Sequence, residues 1–409
     1  MTKEKSTVPR LRFPGFTDAW KQRKLGEVLK ERNESRSPSA DVPLVSFTVE
    51  NGVTPKTERY NREFLVRDEN KKYKFTQLDD IVYNPANLKF GAIARNKYGA
   101  AVFSPIYVTY GVLSEAHPLF VELIVTSTNF IQRALRYQEG TVYERMAVKS
   151  FDLLRSEILL PALPEQEAIG NFFSDLDQLI TLHQRKLDDV KELKKALLQK
   201  MFPKGNGNDF PELRFPEFTD AWKQRKLGEV AEKISQKNLD RQYVETFTNS
   251  AEFGIISQRD FFEKNISSLD NISGYYIVSP DDFVYNPRIS NLAPVGPIKR
   301  NKLGRVGVMS PLYTIFRFSD IHLDFVEKYF DTTIWHRYME LNGDSGARSD
   351  RFAIKDSVFK GLPIPLPTLP EQEAIGSFFS DLDQLITLHQ RQLDHLKLLK
   401  KALLQQMFI

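Results

Sequence analysis

Few residue groupings in this sequence have the types and the spacing that catalysis requires. No GxxxxGK[ST] phosphate loop occurs, and the six histidines are dispersed without metal-ligand spacing such as HExxH. Glu192 and Lys194 form an ExK pair, but the matching position in the second half of the chain is Leu398. The absence of cysteine excludes disulfides, thiolate ligands and cysteine nucleophiles. We therefore predict no catalytic residue and no metal site.

Two VYNP sequences, at 82–85 and 284–287, are superficially like the Asn-Pro-Pro-aromatic motif of amino-methyltransferases. The second proline of that motif is replaced by Ala86 in one copy and by Arg288 in the other. No glycine-rich cofactor loop precedes either copy. Methyltransferase activity is therefore not predicted for this chain, and no cofactor is expected in it.

Two stretches in corresponding places of the two halves, residues 81–114 and 283–318, contain basic residues and no acidic residue. Such stretches suit a surface that meets phosphates, because each neutralised phosphate releases a counterion. Asparagines within them could read adenine edges, as arginine reads guanine. Polar loops at 139–146 and 342–352 add further candidates. The predicted DNA-binding residues are Tyr83, Asn84, Asn87, Lys89, Arg95, Asn96, Lys97, Tyr143, Arg145, Tyr285, Asn286, Arg288, Asn291, Arg300, Lys302, Arg348 and Arg351. The alternative is that many of these cations only solvate the surface and that both tyrosines are core residues.

These candidates lie in a chain that contains an internal sequence duplication. Residues 11–28 recur at 213–230 with one change, and residues 163–202 recur at 369–408 with 34 of 40 positions identical. The interiors between these flanks agree only at scattered points. A period of about 200 residues is too long for a solenoid and predicts a duplicated domain. Because cores tolerate volume-conserving changes, we interpret the near-identity of the flanks as a docking surface used twice.

Each 40-residue repeat is predicted to be one long helix. Pro164 suits the first helical position, acidic residues follow it, and the breaker PKGNGND at 203–209 ends the first copy. Apolar residues recur in alternating steps of four and three, which predicts an antiparallel coiled coil between the two helices. The predicted seam residues are Ile169, Phe173, Leu176, Ile180, His183 and Leu187, repeated as Ile375, Phe379, Leu382, Ile386, His389 and Leu393. The two histidines are interpreted as hydrogen-bonded register markers.

The interiors have the pattern of α/β domains, with strand-like runs at 43–49 and 99–110 preceding a helical stretch at 118–138. The sequence has 41% hydrophobic residues, enough to fill sizeable cores. No apolar run approaches the roughly 18 residues of a membrane helix, so we expect a cytoplasmic protein without a membrane partner. The predicted fold is α/β (α+β): two domains related by a pseudo-two-fold axis and separated by the coiled coil. Trp20 and Trp222 are expected to pack each domain onto a helix.

The combination of WKQRKLGEV segments with LPEQEAIG helices, each present twice, resembles the specificity subunit of a type I restriction-modification system. This resemblance covers essentially the whole chain. It implies target-recognition domains at 1–162 and 213–368, with leading segments 11–28 and 213–230. The coiled-coil helices are then 163–202 and 369–409, and 203–212 is a linker. Each domain would read one half of a bipartite asymmetric site in double-stranded DNA, and the helices would set the spacing.

The resemblance also implies two methyltransferase subunits docked on the helices and restriction subunits added to them. S-adenosylmethionine, ATP and Mg²⁺ are expected in those partner subunits, and none of them in this non-catalytic chain. The alternative function is a cytosolic coiled-coil adaptor with two peptide-binding domains. The acid-free cationic stretches favour DNA, and steep salt dependence of binding would distinguish the two functions.

Overall fold

The computed structural model describes residues 7–55, 72–140, 146–204, 209–262, 272–344 and 350–408. The chain divides into two compact units: residues 1–183 with 392–409 form unit 1, and residues 184–391 form unit 2. Each unit therefore contains one divergent interior together with part of each long helix. The domain bounds given above remain predictions.

Unit 1 is built on an antiparallel four-stranded sheet with the order β2-β10-β7-β8. Two smaller sheets pair β1 with β11 and β4 with β5, and a third has the strand order β3-β6-β9. Its core lies between the four-stranded sheet, the first two helices and the start of the long helix. The elements are β1 Lys21–Lys24, β2 Leu29–Glu31, β3 Ser35–Arg36, β4 Val45–Thr48, β5 Gly52–Pro55, β6 Tyr73–Thr76, β7 Ile81–Tyr83, β8 Ile93–Arg95, β9 Ala101–Phe103, β10 Val108–Val112, α1 Pro118–Val125, α2 Thr128–Ala134, α3 Ser150–Leu154, β11 Glu157–Leu160 and α4 Leu163–Lys200.

Unit 2 repeats this plan with the sheet order β13-β20-β17-β18, again antiparallel. The pair β12 and β21 takes the place of β1 and β11. Two further pairs are β14 with β15 and β16 with β19. The elements are β12 Lys223–Lys226, α5 Leu227–Val230, β13 Ala231–Ile234, β14 Phe247–Ser250, β15 Gly254–Ser257, α6 Gln258–Phe262, β16 Tyr276–Val278, β17 Phe283–Tyr285, β18 Ile298–Arg300, β19 Gly307–Met309, β20 Thr314–Phe318, α7 Leu323–Asp331, α8 His336–Asn342, α9 Asp356–Phe359, β21 Pro363–Leu366 and α10 Leu369–Met407.

Within each unit the segments of α4 and α10 pack against each other in antiparallel directions. In unit 1 the Lys400 Nζ donates to Asp177 at 2.5 Å, and in unit 2 the Lys194 Nζ donates to Asp383 at 2.5 Å. The predicted seam side chains are all buried or half-buried in these segments. Mixed α/β domains with two packed long helices confirm the predicted fold class. No described helix is long and apolar enough to cross a membrane.

The start of α4 locks the leading segment and the interior of unit 1 together. Arg12 donates from Nε and Nη2 to the buried Glu165 carboxylate at 2.6 and 2.7 Å. Gln166 accepts from the backbone N–H of His117 at 2.9 Å and donates to the carbonyl of Pro161 at 2.9 Å. We call these contacts of Arg12, Glu165 and Gln166 the latch of unit 1. They bury three polar groups and give each a hydrogen-bond partner, as burial requires.

The same contacts recur in unit 2. Arg214 donates to the buried Glu371 carboxylate at 2.6 and 2.7 Å, and Gln372 accepts from the backbone N–H of His322 at 3.1 Å. Glu371 accepts a further hydrogen bond from Trp222 Nε1 at 3.2 Å. We call Arg214, Glu371 and Gln372 the latch of unit 2. The identity of LPEQEAIG in the two copies therefore has a cause inside each unit, in addition to the docking surface inferred from the sequence.

Close packing accounts for one glycine of that motif. A Cβ added at Gly170 would lie 2.8 Å from the Leu119 Cβ, so α4 approaches α1 at a distance that only glycine permits. Trp20 packs edge-on against Phe120 and Phe408 nearby. The prediction that both copies of this tryptophan join domain to helix is confirmed, since Trp222 contacts its matching rings, Phe202 and Phe325, in the same way.

Candidate functional site

In each four-stranded sheet, one loop joins the strand at the edge, β8 or β18, to its neighbour, β7 or β17, and this loop has the same position in both units. Tip loop 1, residues 84–92, joins β7 to β8, and tip loop 2, residues 286–297, joins β17 to β18. Both loops follow a Val-Tyr pair whose tyrosine is buried. They are the central parts of the acid-free stretches, so the sheet places the predicted cations at corresponding positions of both units.

Tip loop 1 is a short turn held by one buried leucine. Leu88 is fully buried, whereas Asn87, Lys89 and Phe90 of the same turn are exposed. The Phe90 side chain is 63% exposed, and the Lys89 Nζ lies 4.9 Å from the centre of its ring. Asn84 is buried, and its Oδ1 accepts from the backbone N–H of Ala86, so it shapes the loop from below. The loop therefore presents an amide, an ammonium and an aromatic ring to solvent.

Tip loop 2 is longer and ends in a tight turn. Ser290 and Ala293 exchange backbone hydrogen bonds of 3.0 Å in both directions, which puts Asn291 and Leu292 at the turn. Both residues are exposed, Leu292 to 69%. Gly296 has φ +84°, and a Cβ there would lie 2.1 Å from the carbonyl oxygen of Asn286. The loop is therefore closely packed at its base and exposed at its tip.

A cavity of about 300 Å³ with a mixed polar and apolar lining is found at the base of tip loop 2. It is lined by the end of β14, by the loop itself and by Arg351. The Asn249 amide forms one wall: its Nδ2 donates to the carbonyls of Val284 and Pro297, and its buried Oδ1 has no partner among the described residues. The two carbonyl acceptors of Nδ2 fix the orientation of this amide, so its Oδ1 is left without a donor among the described residues.

Two arginines stand beside this cavity. Backbone hydrogen bonds from Ile289 to Asp350 and from Phe352 to Pro287 hold the Arg351 segment against tip loop 2. Arg288 is highly exposed, and its nearest carboxylate, Asp350, is 3.8 Å away. The side chain of Arg351 has no ion pair among the described residues. Both guanidinium groups are therefore available to an anionic ligand.

Three predicted DNA-binding side chains prove to be structural. Tyr83 is fully buried and its hydroxyl donates to the carbonyl of Val148, while Tyr285 does the same to the carbonyl of Val295. Burial raises the pKa of both phenols, so they stay protonated donors. Asn96 is buried and organises its own turn, since its Oδ1 accepts from the backbone N–H of Tyr98. The prediction of DNA contact is wrong for these three because no side-chain surface remains for DNA.

Arg95 and Arg300 are also withdrawn from solvent, and they occupy matching places. Arg95 donates to Asp79 at 2.5 Å and to Glu122 at 2.8 Å. Arg300 donates to Asp281 and Asp324 at 2.7 and 2.6 Å. These carboxylates come from outside the acid-free stretches. A stretch that contains no acidic residue can therefore still lie next to carboxylates from other parts of the chain. The prediction that these two arginines contact DNA is wrong, because both are held in ion pairs.

The remaining candidates have different positions. Asn286 is half-buried, and its Nδ2 donates to the carbonyl of Asn249. Lys97 and Lys302 are exposed but pair with Glu122 and Glu327 at 2.8 and 3.1 Å. Exposed pairs of this kind are weak and can exchange their partner. Tyr143, Arg145 and Arg348 lie outside the described residues. The candidates that remain are the exposed Asn87, Lys89, Arg288 and Asn291 and the half-buried Arg351, of which only Arg288 has an ion pair among the described residues, with the exposed Asp350 at 3.8 Å.

Phe90, Leu292 and Asn249 are features of these sites that sequence reasoning missed. Phe90 and Leu292 are 202 residues apart, the same offset that relates Tyr83 to Tyr285. An apolar residue repeated inside two polar stretches was therefore a readable signal. The position of Asn249 was not readable, because its strand pairs locally with β15 and meets the tip loop only through tertiary packing.

Comparison with known proteins shows which proteins this chain resembles. Residues 219–398 match the model of the type I restriction modification DNA specificity domain. Two specificity subunits of type I restriction enzymes from Methanocaldococcus jannaschii, those designated MjaX and MjaVIII, are 26% and 23% identical to this chain over 66% and 65% of its length. Over these stretches the chain is similar to type I specificity subunits. These alignments span 62% and 64% of the two relatives, less than two thirds of either.

A solved structure shares the fold of this chain. A type I S subunit from M. genitalium has a TM-score of 0.59 with this chain at 13% identity, and the superposition covers 98% of this chain and 99% of that one. At this identity the likeness concerns the fold alone.

Proposed function

We propose that this chain is the DNA-recognition subunit of a type I restriction-modification complex, in which each unit reads one half of a bipartite, asymmetric DNA site. The cations at and beside the two tip loops are the observation that carries this proposal. Among the described residues Lys89 and Arg351 have no ion pair, and Arg288 meets only the exposed carboxylate of Asp350 at 3.8 Å. Most other cations of the acid-free stretches have closer carboxylate partners. Cations without a close partner are what phosphate contact requires.

The tip loops also hold groups that can read bases. Asn87 and Asn291 are exposed beside those cations, and an asparagine amide can bind the N6 and N7 positions of adenine in two hydrogen bonds. The two loops differ in length and sequence, so the two half-sites are expected to differ. A rigid loop that presents an amide between cations and an apolar tip is better suited to a DNA groove than to a peptide.

The long helices are proposed to dock two methyltransferase subunits. Leu179 and Leu182 are 40% and 48% exposed in unit 1, and their counterparts Leu385 and Leu388 are 37% and 51% exposed in unit 2. Each pair lies in the identical sequence DLDQLITLHQ. Packing within a unit explains identity at buried positions but not at exposed leucines, so a common partner is the better explanation.

Catalysis would then belong to the partner subunits. Among the described residues, no group of three or more histidine, aspartate or glutamate side chains could hold a metal ion. S-adenosylmethionine, ATP and Mg²⁺ are proposed to bind the methyltransferase and restriction subunits. This chain would contribute the choice of DNA site and the distance between its halves.

The decisive experiment exchanges the interiors. Residues 231–368 are replaced by a second copy of 29–162, and the chimera is co-expressed with its methyltransferase subunits. Because the flanking segments match, the chimera should fold, and it should direct methylation to an interrupted palindrome built from the first half-site. Genome-wide sequencing of methylated adenines reads the result.

A matched control exchanges the flanks instead. Replacing residues 163–202 by 369–408 changes six positions of the helix and should leave the methylated sequence as in the wild type. A folded, active chimera that retained the wild-type asymmetric target would refute the assignment of readout to the interiors. A complex that showed no salt-dependent DNA shift in electrophoresis would instead favour a peptide-binding adaptor.

A further inference from the structure

Each tip loop carries one large apolar side chain at its most exposed point. Phe90 is 63% exposed and Leu292 is 69% exposed. Each lies seven residues after the buried tyrosine that precedes its loop, although the two loops differ in length and sequence. A single exposed apolar side chain needs no explanation, but two at the same distance from that tyrosine suggest a common use.

Local folding does not require these side chains. Turns of this type usually take Asn, Gly, Asp or Ser at their tips, because those residues tolerate turn geometry and remain hydrated. In tip loop 1 the buried Leu88 already supplies the apolar anchor. In tip loop 2 the anchors are the buried Ala293 and Val295, whereas Leu292 is exposed and does not belong to the core cluster of unit 2. Both tips therefore expose apolar surface that the fold does not use.

The loops that carry these tips are held at their bases. Ser290 and Ala293 close the turn of tip loop 2 by two backbone hydrogen bonds, and Gly296 packs directly against Asn286. Tip loop 1 is closed by the hydrogen bond from the Gly91 N–H to the Leu88 carbonyl. A rigid support lets a projecting side chain push against a ligand without the loop yielding.

The surroundings of both tips are cationic. Lys89 is the direct neighbour of Phe90, and Arg288 belongs to the same loop as Leu292. Neither tip loop contains an acidic residue. An apolar wedge flanked by cations matches the chemistry of a stacked base step flanked by phosphates, since the cations neutralise the backbone while the wedge meets the bases.

We propose that Phe90 and Leu292 are wedges that insert between adjacent base pairs, one in each half-site, and kink the DNA there. This inference rests on the proposed function and deepens it. Wedges of this kind partly unstack one base step, and the bend allows more of the protein surface to meet the duplex. Each half-site would then contain one easily unstacked step, such as TA or CA, at a position where no hydrogen bond specifies the base.

The test uses the complete complex with its methyltransferase subunits and a duplex that contains the methylated site of the wild type. 2-Aminopurine is placed at successive positions of each half-site, because its fluorescence rises when its base step opens. Wild-type complex should raise the fluorescence at one step in each half-site. Phe90→Ala should abolish the rise in one half-site and Leu292→Ala in the other, each with about a tenfold or greater loss of affinity.

Conservative and matched variants separate a wedge from loss of folding. Phe90→Leu and Leu292→Phe keep a large apolar tip and should retain the fluorescence rise. Phe151→Ala and Leu239→Ala remove equally exposed apolar side chains elsewhere, 69% and 72% exposed, and should have no effect. Bending is followed in parallel by energy transfer between the labelled ends of the duplex.

The outcomes distinguish this inference from the function beneath it. If wild-type complex binds no DNA site specifically, the proposed function fails. If it binds specifically and the alanine variants retain affinity, bend and fluorescence, the wedges are refuted while the function stands. If the alanine variants instead lose methyltransferase subunits from the complex, the two tips are protein contacts and the wedge proposal is also overturned.

Discussion

The two latches offer a matched pair of buried carboxylates whose removal should have measurably different effects. Glu165 and Glu371 are 1% and 0% exposed, and each binds an arginine through two short hydrogen bonds. Removing one partner of a buried ion pair leaves the other charge uncompensated, which costs about 3–5 kcal/mol. We therefore expect Glu165→Ala and Glu371→Ala each to weaken the attachment of its leading segment by roughly this amount.

The difference between the two variants follows from one further hydrogen bond. Glu371 also accepts from Trp222 Nε1, whereas Trp20 Nε1 in unit 1 is buried without a described partner. A buried donor left without an acceptor costs about 1–3 kcal/mol, and only Glu371→Ala creates one. The loss of packing volume is the same in both variants and cancels in the comparison. Glu371→Ala should therefore be the more damaging substitution by about 1 kcal/mol or more.

Hydrogen exchange with peptide resolution measures both effects, because it reports local opening without requiring two-state unfolding of a chain with two units. Peptides covering 11–24 and 213–226 should exchange faster by roughly two to four powers of ten in the corresponding variant. Glu27→Ala removes an exposed ion pair in the same segment and should change nothing measurable. Equal effects of the two variants, or a larger effect of Glu165→Ala, would refute the reasoning.

Three further predictions test other parts of the chain. Burial raises the pKa of Asp383, but the charges and hydrogen bonds of Lys328 and Lys194 outweigh this effect, so the net pKa is lowered. The resulting stabilisation is present at neutral pH and is lost as pH falls through the lowered pKa of the folded state. Lys328→Leu should thus make the loss of stability in acid shallower, as urea unfolding at several pH values would show, and an unchanged slope would contradict this. His183→Leu and His389→Leu should keep or raise the melting temperature in calorimetry while loosening register, and a large fall in both variants would contradict a seam role. Gly296→Ala should displace tip loop 2 and abolish specific DNA binding, with some loss of melting temperature, because its Cβ would collide with the tip-loop backbone; normal affinity in a binding titration would argue against tip loop 2 as a contact.

The scaffold could be predicted from the sequence because its signals are local or repeated. The first long helix was predicted at 163–202 and spans Leu163–Lys200, since its apolar period and its terminal signals lie within the segment itself. The tryptophan anchors were predictable because each lies in a segment that is almost identical in the two copies, next to interiors that differ. The repeated segments could therefore be identified as the shared scaffold, and the segments between them as divergent domains.

The ion-pair partners of individual arginines could not be predicted in the same way. Arg95 and Glu122 are 27 residues apart in the chain and 2.8 Å apart in the structure. Counting charges within a stretch cannot detect a carboxylate that a neighbouring helix brings back over the sheet. Tyr83 was misassigned for a related reason: its polar hydroxyl suggested a ligand, but a buried tyrosine only needs one carbonyl to accept from it.

The latch glutamines have a consequence for how such genes can change. Gln166 and Gln372 bind a backbone N–H and a backbone carbonyl, groups that every incoming domain supplies whatever its side chains are. The codons of the repeated helices are also where homologous recombination would find matching sequence. A crossover there would deliver a new interior already fitted to its attachment, so that a population of cells could change its restriction specificity in a single event without evolving a new interface.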